Sequence, residues 1–140
     1  MADVETALRA RLLADPTISA ITTRIHWGDV PQGTALPYIR LNTISDPLDE
    51  HLKGYTARQR PRVQADCFDK KADSVANSGY PRARDLAKKV IASVALPATV
   101  SGVAFNRIKA EGPVPGSEDV PGIGLVSRAR VDLLVEHKLV

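Results

Sequence analysis

Three histidines and one cysteine are the first residues to weigh as reactive groups: His26, His51, His137 and Cys67. No two of the histidines fall at a helical or strand spacing suited to one metal ion or one proton relay. His26 adjoins Trp27 in a short apolar piece. His51 follows Asp49 and Glu50 in a polar stretch, where consecutive side chains point apart. Solvated or packed imidazoles are expected at all three. Cys67 follows Ala65 on what reads as the apolar face of a strand, with nothing nearby to lower its pKa, so an inert buried thiol is expected. A single cysteine also excludes an internal disulfide and a paired-cysteine zinc site. Gly112, Gly116, Gly122 and Gly124 are scattered among prolines, and no helix follows them to cradle a phosphate. Gly122-Ile123-Gly124 precedes a strand and lacks the third glycine of a dinucleotide fingerprint. No catalytic residue, no metal site and no cofactor is therefore expected, and the chain does not read as an enzyme.

Charge is the second chemistry available. Lys53, Arg58, Arg60 and Arg62 form a basic segment with no acid between Glu50 and Asp66. Glu111, Glu118 and Asp119 form an acidic segment with no base between Glu111 and Gly122. The two can pair within one chain, or between chains in a head-to-tail ring, or stand as unrelated solvated loops. Strand faces add a third set. Arg60, Arg62 and Asp66 share one face of their strand, and Arg128, Arg130, Asp132 and Glu136 share one face of theirs. If these strands pair antiparallel, opposite charges meet across the ladder, each pair worth ~0.2–1 kcal/mol. With 19 Lys plus Arg against 16 Asp plus Glu the net charge is 19 − 16 = +3, and only six residues are aromatic. That is thin for a stacking and phosphate-binding nucleic-acid surface. A small nucleic-acid-binding module built on the Lys53–Arg62 segment stays as the rival reading.

Positioning these charges requires a scaffold that 140 residues can supply as one domain over residues 1–140. No run of about 18 apolar residues exists to span a membrane, and Met1 to Pro16 is too charged for a secretory leader. Val4, Leu8 and Leu12 fall four apart behind Asp3, which predicts an amphipathic helix over Asp3 to Ala14, closed by Pro16. Ile18, Ile21 and Ile25 form an apolar bridge to the short strand Ile25–Trp27. Strands are expected over Pro37–Ile44, with Ile39 and Leu41 facing in, and over Gln59–Phe68, with Val63, Ala65 and Cys67 facing in. Pro81 opens a second helix to about Ala95, on which Ala83, Leu86, Ala87, Val90 and Val94 recur at helical spacing. A third strand surrounds Val103 and Phe105, and the last and longest runs from Gly124 to His137. Long loops are expected over about 46–58, 69–79 and 111–123; half of the twelve residues from Glu111 to Gly122 are proline or glycine. The sum is an α+β domain: a mainly antiparallel sheet of four to five strands, one face wet, the other covered by two helices.

An ordered set of these segments resembles the phage tail-completion proteins, the tail terminators of long-tailed phages and gene-transfer particles. The opening helix with Leu8, Leu12 and Leu13 leads to Asp15-Pro16, Arg24-Ile25, Pro31-Gln32-Gly33 and Leu36-Pro37-Tyr38-Ile39. The likeness continues through Arg62-Val63-Gln64-Ala65-Asp66, Tyr80-Pro81-Arg82-Ala83-Arg84-Asp85-Leu86-Ala87 and Arg130-Val131-Asp132-Leu133-Leu134-Val135. Asp69 to Gly79 departs from the pattern in being longer and more polar. The resemblance implies a structural subunit that assembles with itself into a ring, usually a hexamer, capping the head-proximal end of the tail tube. Its partners would be the tail tube protein and the head connector or stopper protein, with DNA only in transit through the lumen and no membrane. It would reside in the neck of the virion tail, and in the host cytoplasm before assembly. Other small neck proteins, head-tail adaptors or stoppers, are the neighbouring alternative. On this reading Lys53, Arg58, Arg60 and Arg62 meet Glu118 and Asp119 of a neighbour, while Arg128, Arg130 and Asp132 line the lumen or an interface.

Overall fold

The first helix, α1 (Val4–Ala14), starts where Asp3 accepts a hydrogen bond from the Thr6 amide at 2.7 Å, and the same carboxylate accepts from the Thr6 hydroxyl. Asp15 ends α1 and caps the four-residue α2 (Pro16–Ser19), accepting from the Thr17 amide at 2.8 Å, with Pro16 in the first turn, where an amide would go unused. The computed structural model describes residues 3–46, 50–51, 54–55, 59–70, 79–121 and 124–139, with backbone only at 50, 51, 54, 55 and 79.

Five strands form the main sheet: β1 (Ile25–Trp27), β2 (Tyr38–Ser45), β5 (Arg62–Lys70), β8 (Lys109–Val120) and β9 (Gly124–Leu134), in the order β1-β2-β5-β9-β8. All neighbours are antiparallel except β1 and β2, which run parallel. The long helix α3 (Gly79–Ser93) lies across β5 and β9. Ala83, Leu86, Ala87 and Val90 on α3, and Leu8 and Leu12 on α1, bury against Ile39, Leu41, Val63, Ala65, Val131 and Leu133 from the sheet. Apolar side chains spaced by two on each strand thus meet apolar side chains spaced by three and four on the helices, which makes one helix-covered face.

Four features depart from expectation. Of the expected loop 111–123, residues 111–120 are strand: β8 runs through Val120 despite Pro113 and Pro115, while 122 and 123 lie outside the described residues. An outermost strand tolerates proline, because a missing amide costs nothing on the side that has no neighbour. Gly112 takes φ +112° beside a register shift between Glu111 and Val114, and a Cβ there would sit 2.6 Å from the Arg130 carbonyl oxygen. Glycine is thus required to let β8 lie down on β9. Residues 46–58 contain a two-stranded ribbon, β3 (Glu50–His51) with β4 (Gly54–Tyr55). The last strand does not reach His137: β9 stops at Leu134, and His137–Leu139 (β10) joins β7 (Val103–Phe105) and β6 (Ala98–Val100) in a second, three-stranded antiparallel sheet. The switch is held by the Val135 amide on the Pro61 carbonyl and the Asn106 amide on the Glu136 carbonyl. Of the expected loop 69–79, Asp69 and Lys70 belong to β5 and Gly79 begins α3, while 71–78 lie outside the described residues.

Candidate assembly interface

The face of the main sheet turned away from the helices is where the charged residues gather. Because side chains alternate along a strand, Arg40, Asp66 and Arg130 on three adjacent strands fall in one row: Arg40 pairs directly with Asp66, and Asp66 with Arg130. Asp66 is fully buried. Arg40 Nη2 donates to its Oδ2 at 3.0 Å, Arg130 Nε to its Oδ1 at 2.9 Å, and Gln64 Nε2 to Oδ2 at 3.1 Å. Three donors therefore replace the water that burial removed from the carboxylate. Glu118 on β8 lies on the same face, four residues along from Val114, which is opposite Arg130; it accepts from Arg40 at 3.3 Å and lies 3.8 Å from Arg128 Nη1. Three arginines surround two carboxylates. Burial works to lower the Arg40 pKa, but its hydrogen bond to Asp66 and the charge of Glu118 outweigh that, and the net direction is up.

Toward one end, the row passes into an apolar patch. The Arg40 guanidinium lies 5.0 Å from the Phe68 ring centroid, and Phe68 packs at 5.0 Å on Tyr38, with Val126 beneath and Val30, Leu36 and Val120 around them. Burial, then the Glu118 charge, raise the Tyr38 pKa. Gly116 leaves room for Arg128: a Cβ there would meet its guanidinium at 2.5 Å.

The residues singled out from sequence are distributed as follows. Arg128, Arg130 and Asp132 lie on one face of β9, and Arg130 pairs with Asp66 across the ladder. Glu118 is engaged inside the chain, with Arg40 rather than with the basic segment. Asp119 is exposed. Arg60 is exposed and already interacts within the chain. Arg62 is exposed and lies opposite Leu134 in a shallow recess that Lys109, Glu111 and Asp132 also line. Lys53 and Arg58 lie outside the described residues. Arg62 therefore stands at the Leu134 end of β9, and Asp119 at the Leu125 end. Nine residues of strand separate them, roughly 30 Å at ~3.3 Å per residue. Sequence reasoning missed Arg40 as the centre of the charged row, although its alternation with Tyr38 and Asn42 had already put it on the polar face.

Of the remaining candidates, Cys67 and His137 are buried. Burial, helped by the Asp66 charge, pushes the Cys67 thiol far up. His137 is buried, its Nδ1 3.0 Å from the Val135 carbonyl and its ring 6.3 Å from Phe105. His26 is half-buried on β1; the His51 side chain and Asp49 lie outside the described residues. Among the described residues no group of three His, Cys, Asp or Glu side chains could hold a metal ion, and no helix is long and apolar enough to cross a membrane.

With this geometry in place, comparison with known proteins gives three results. No curated protein matches the chain. A chain from a structure described as the virion of a native gene transfer agent particle superposes with a TM-score of 0.62 at 16% identity, covering 97% of this chain and 93% of that one, which establishes a shared fold. The sequence profile of the family "Tail completion protein gp17" matches residues 6–112, from within α1 to the register shift in β8, and the chain belongs to that family.

Proposed function

We propose that this chain is the tail terminator of a tailed phage or phage-like particle: a structural subunit that closes into a ring on the end of the tail tube, stops its growth and presents a surface to the head connector. The observation that carries the reading is membership of the tail completion family over most of the chain, joined to a fold shared along nearly its whole length with a gene transfer agent virion protein. The geometry supports a ring in one further respect. Arg62 and Asp119 stand at opposite ends of the sheet, too far apart to meet within one subunit, and complementary charges at opposite ends are what a head-to-tail contact joins. In this arrangement Lys53, Arg58, Arg60 and Arg62 of one subunit face Asp119 of the next, with Glu118 behind it already held by Arg40. A hexamer is the copy number the family resemblance implies. Arg128, Arg130 and Asp132 belong to a face of both signs; such a lining lets DNA slide, where a uniformly basic one would hold it.

Electron microscopy of the purified protein, alone and mixed with tail tubes, tests the reading. Rings that cap one end of each tube and limit its length are expected. A protein that stays monomeric and binds no tube end overturns it.

A further inference from the structure

The main sheet has two edges, and they are finished differently. At the β1 edge the outward groups of Ile25 are taken: its amide donates to the Thr23 carbonyl at 3.1 Å and its carbonyl accepts from Arg9 Nε at 2.7 Å. The Trp27 indole nitrogen reaches across this edge to the Glu5 carbonyl at 2.8 Å. Helix α1 thus covers it. Strand β8 at the other edge pairs only with β9. Pro115 lies opposite Ala129, and a proline inside a paired strand sits with its nitrogen on the unpaired side. Alternation then places the outward amides and carbonyls at Ser117 and Asp119. The two prolines block the first half of this edge and leave the second half open, and both Ser117 and Asp119 are exposed.

Among the described residues, unpaired strand edges also occur in the small sheets, and one of these stands out. The β3–β4 ribbon forms a two-stranded sheet of its own, joined to no other strand among the described residues. A lone two-stranded hairpin is marginal in water and gains from a third strand. It lies in the stretch of sequence that carries Lys53, Arg58, Arg60 and Arg62, whereas the open half of β8 ends in Glu118 and Asp119.

We propose that the β3–β4 ribbon of one subunit adds as a strand to the Ser117–Asp119 edge of a second copy of this chain. The contact is heterologous, ribbon to edge, so it propagates around a ring instead of closing a two-fold dimer. Main-chain hydrogen bonds fix the register, and the basic flank of the ribbon against the acidic end of β8 selects the direction. This rests on the ring reading above and specifies its joint.

Ser117→Pro is the discriminating variant. It extends the alternation of Pro113 and Pro115 by one step, removing an outward amide that β9 does not use. We expect a subunit with unchanged circular dichroism and near-native melting that sediments as a monomer under conditions where the wild type assembles. A folded Ser117→Pro protein that forms rings like the wild type overturns the joint and leaves the ring reading standing. A wild type that never self-associates, alone or on tail tubes, overturns both. Should the variant not fold, hydrogen exchange on the wild type decides: Ser117 and Asp119 amides that become at least ten-fold slower on assembly support the joint, and unchanged rates refute it.

Discussion

The two faces of the main sheet are buried by different means. On the helix side, Leu41, Val63, Val131 and Leu133 disappear under α1 and α3, and the contacts are non-directional: what matters is filling the space. On the other side, Asp66 is as fully buried as any leucine, yet it is covered by arginines and an amide whose donors must point at its two oxygens. The first face supplies stability. The second supplies register, because slipping β5 by one residue against β2 or β9 would put Asp66 under the helices and Ala65 or Cys67 among the arginines. A wet face is thereby held rigid by directional contacts.

Removing one side chain from each face measures the difference. Leu133→Ala deletes a fully buried leucine from the helix side, where packing leaves little room to collapse, and should cost about 2–5 kcal/mol in urea unfolding. Asp66→Ala should cost less, about 1–3 kcal/mol, even though it takes the carboxylate from Arg130 and leaves Arg40 with Glu118 alone. The Arg40 and Arg130 side chains are 24% and 35% exposed, so both can turn toward water once the carboxylate is gone. A loss for Asp66→Ala as large as that for Leu133→Ala would mean that the polar face carries stability as well as register, and the contrast would fail.

How much of this was legible beforehand follows the same division. Apolar periodicity placed α1, α3 and the inward faces of β2, β5 and β9, since a helix-covered face is written in residue types spaced by two or by three and four. Strand β8 was invisible. Its apolar content is low, its prolines and glycines read as turn residues, and only its place at the edge, beside the long β9, makes them acceptable. With 111–123 read as a loop, nothing places Glu118 on the face that carries Arg40, and the charged cluster lacks its far member. The break at Leu134 was hidden for another reason: the alternation of Val131, Leu133 and Val135 runs on across the point where the chain leaves one sheet for the other. The mixed-sign strand faces were readable because a period of two needs no knowledge of the neighbour.

The glycines of β8 separate backbone from side-chain constraint at the boundary of the polar face. Gly112→Ala must accommodate φ +112° and a Cβ 2.6 Å from the Arg130 carbonyl, neither of which can move without dragging β9. About 1–3 kcal/mol is expected. At Gly116 the obstacle is the mobile end of Arg128, and φ is not constrained, so Gly116→Ala should cost under about 1 kcal/mol and act mainly by displacing that guanidinium from Glu118. Thermal unfolding of the two single variants checks the order. A more damaging change at Gly116 would show that the position of Arg128 matters more to the sheet than the backbone of β8 does.

The smallest effect belongs to the helix layer and is read by pH. Asp3 and Asp15 cap α1 and α2, and both carboxyls sit below their ordinary 3.8: the Thr6 amide, then the Thr6 hydroxyl, hold Asp3 down, and the Thr17 hydroxyl is the main cause for Asp15. A depressed folded-state pKa means the unfolded chain takes up the proton first. The caps therefore contribute fully above 3.8 and lose their contribution as pH falls below it toward the lower folded values. Asn caps nearly as well as Asp but carries no charge. The Asp3→Asn/Asp15→Asn double variant should melt slightly below the wild type at pH 7, with the gap closing as the pH drops well below 3.8. A gap that stays constant with pH would place the value of these residues in hydrogen-bond geometry alone.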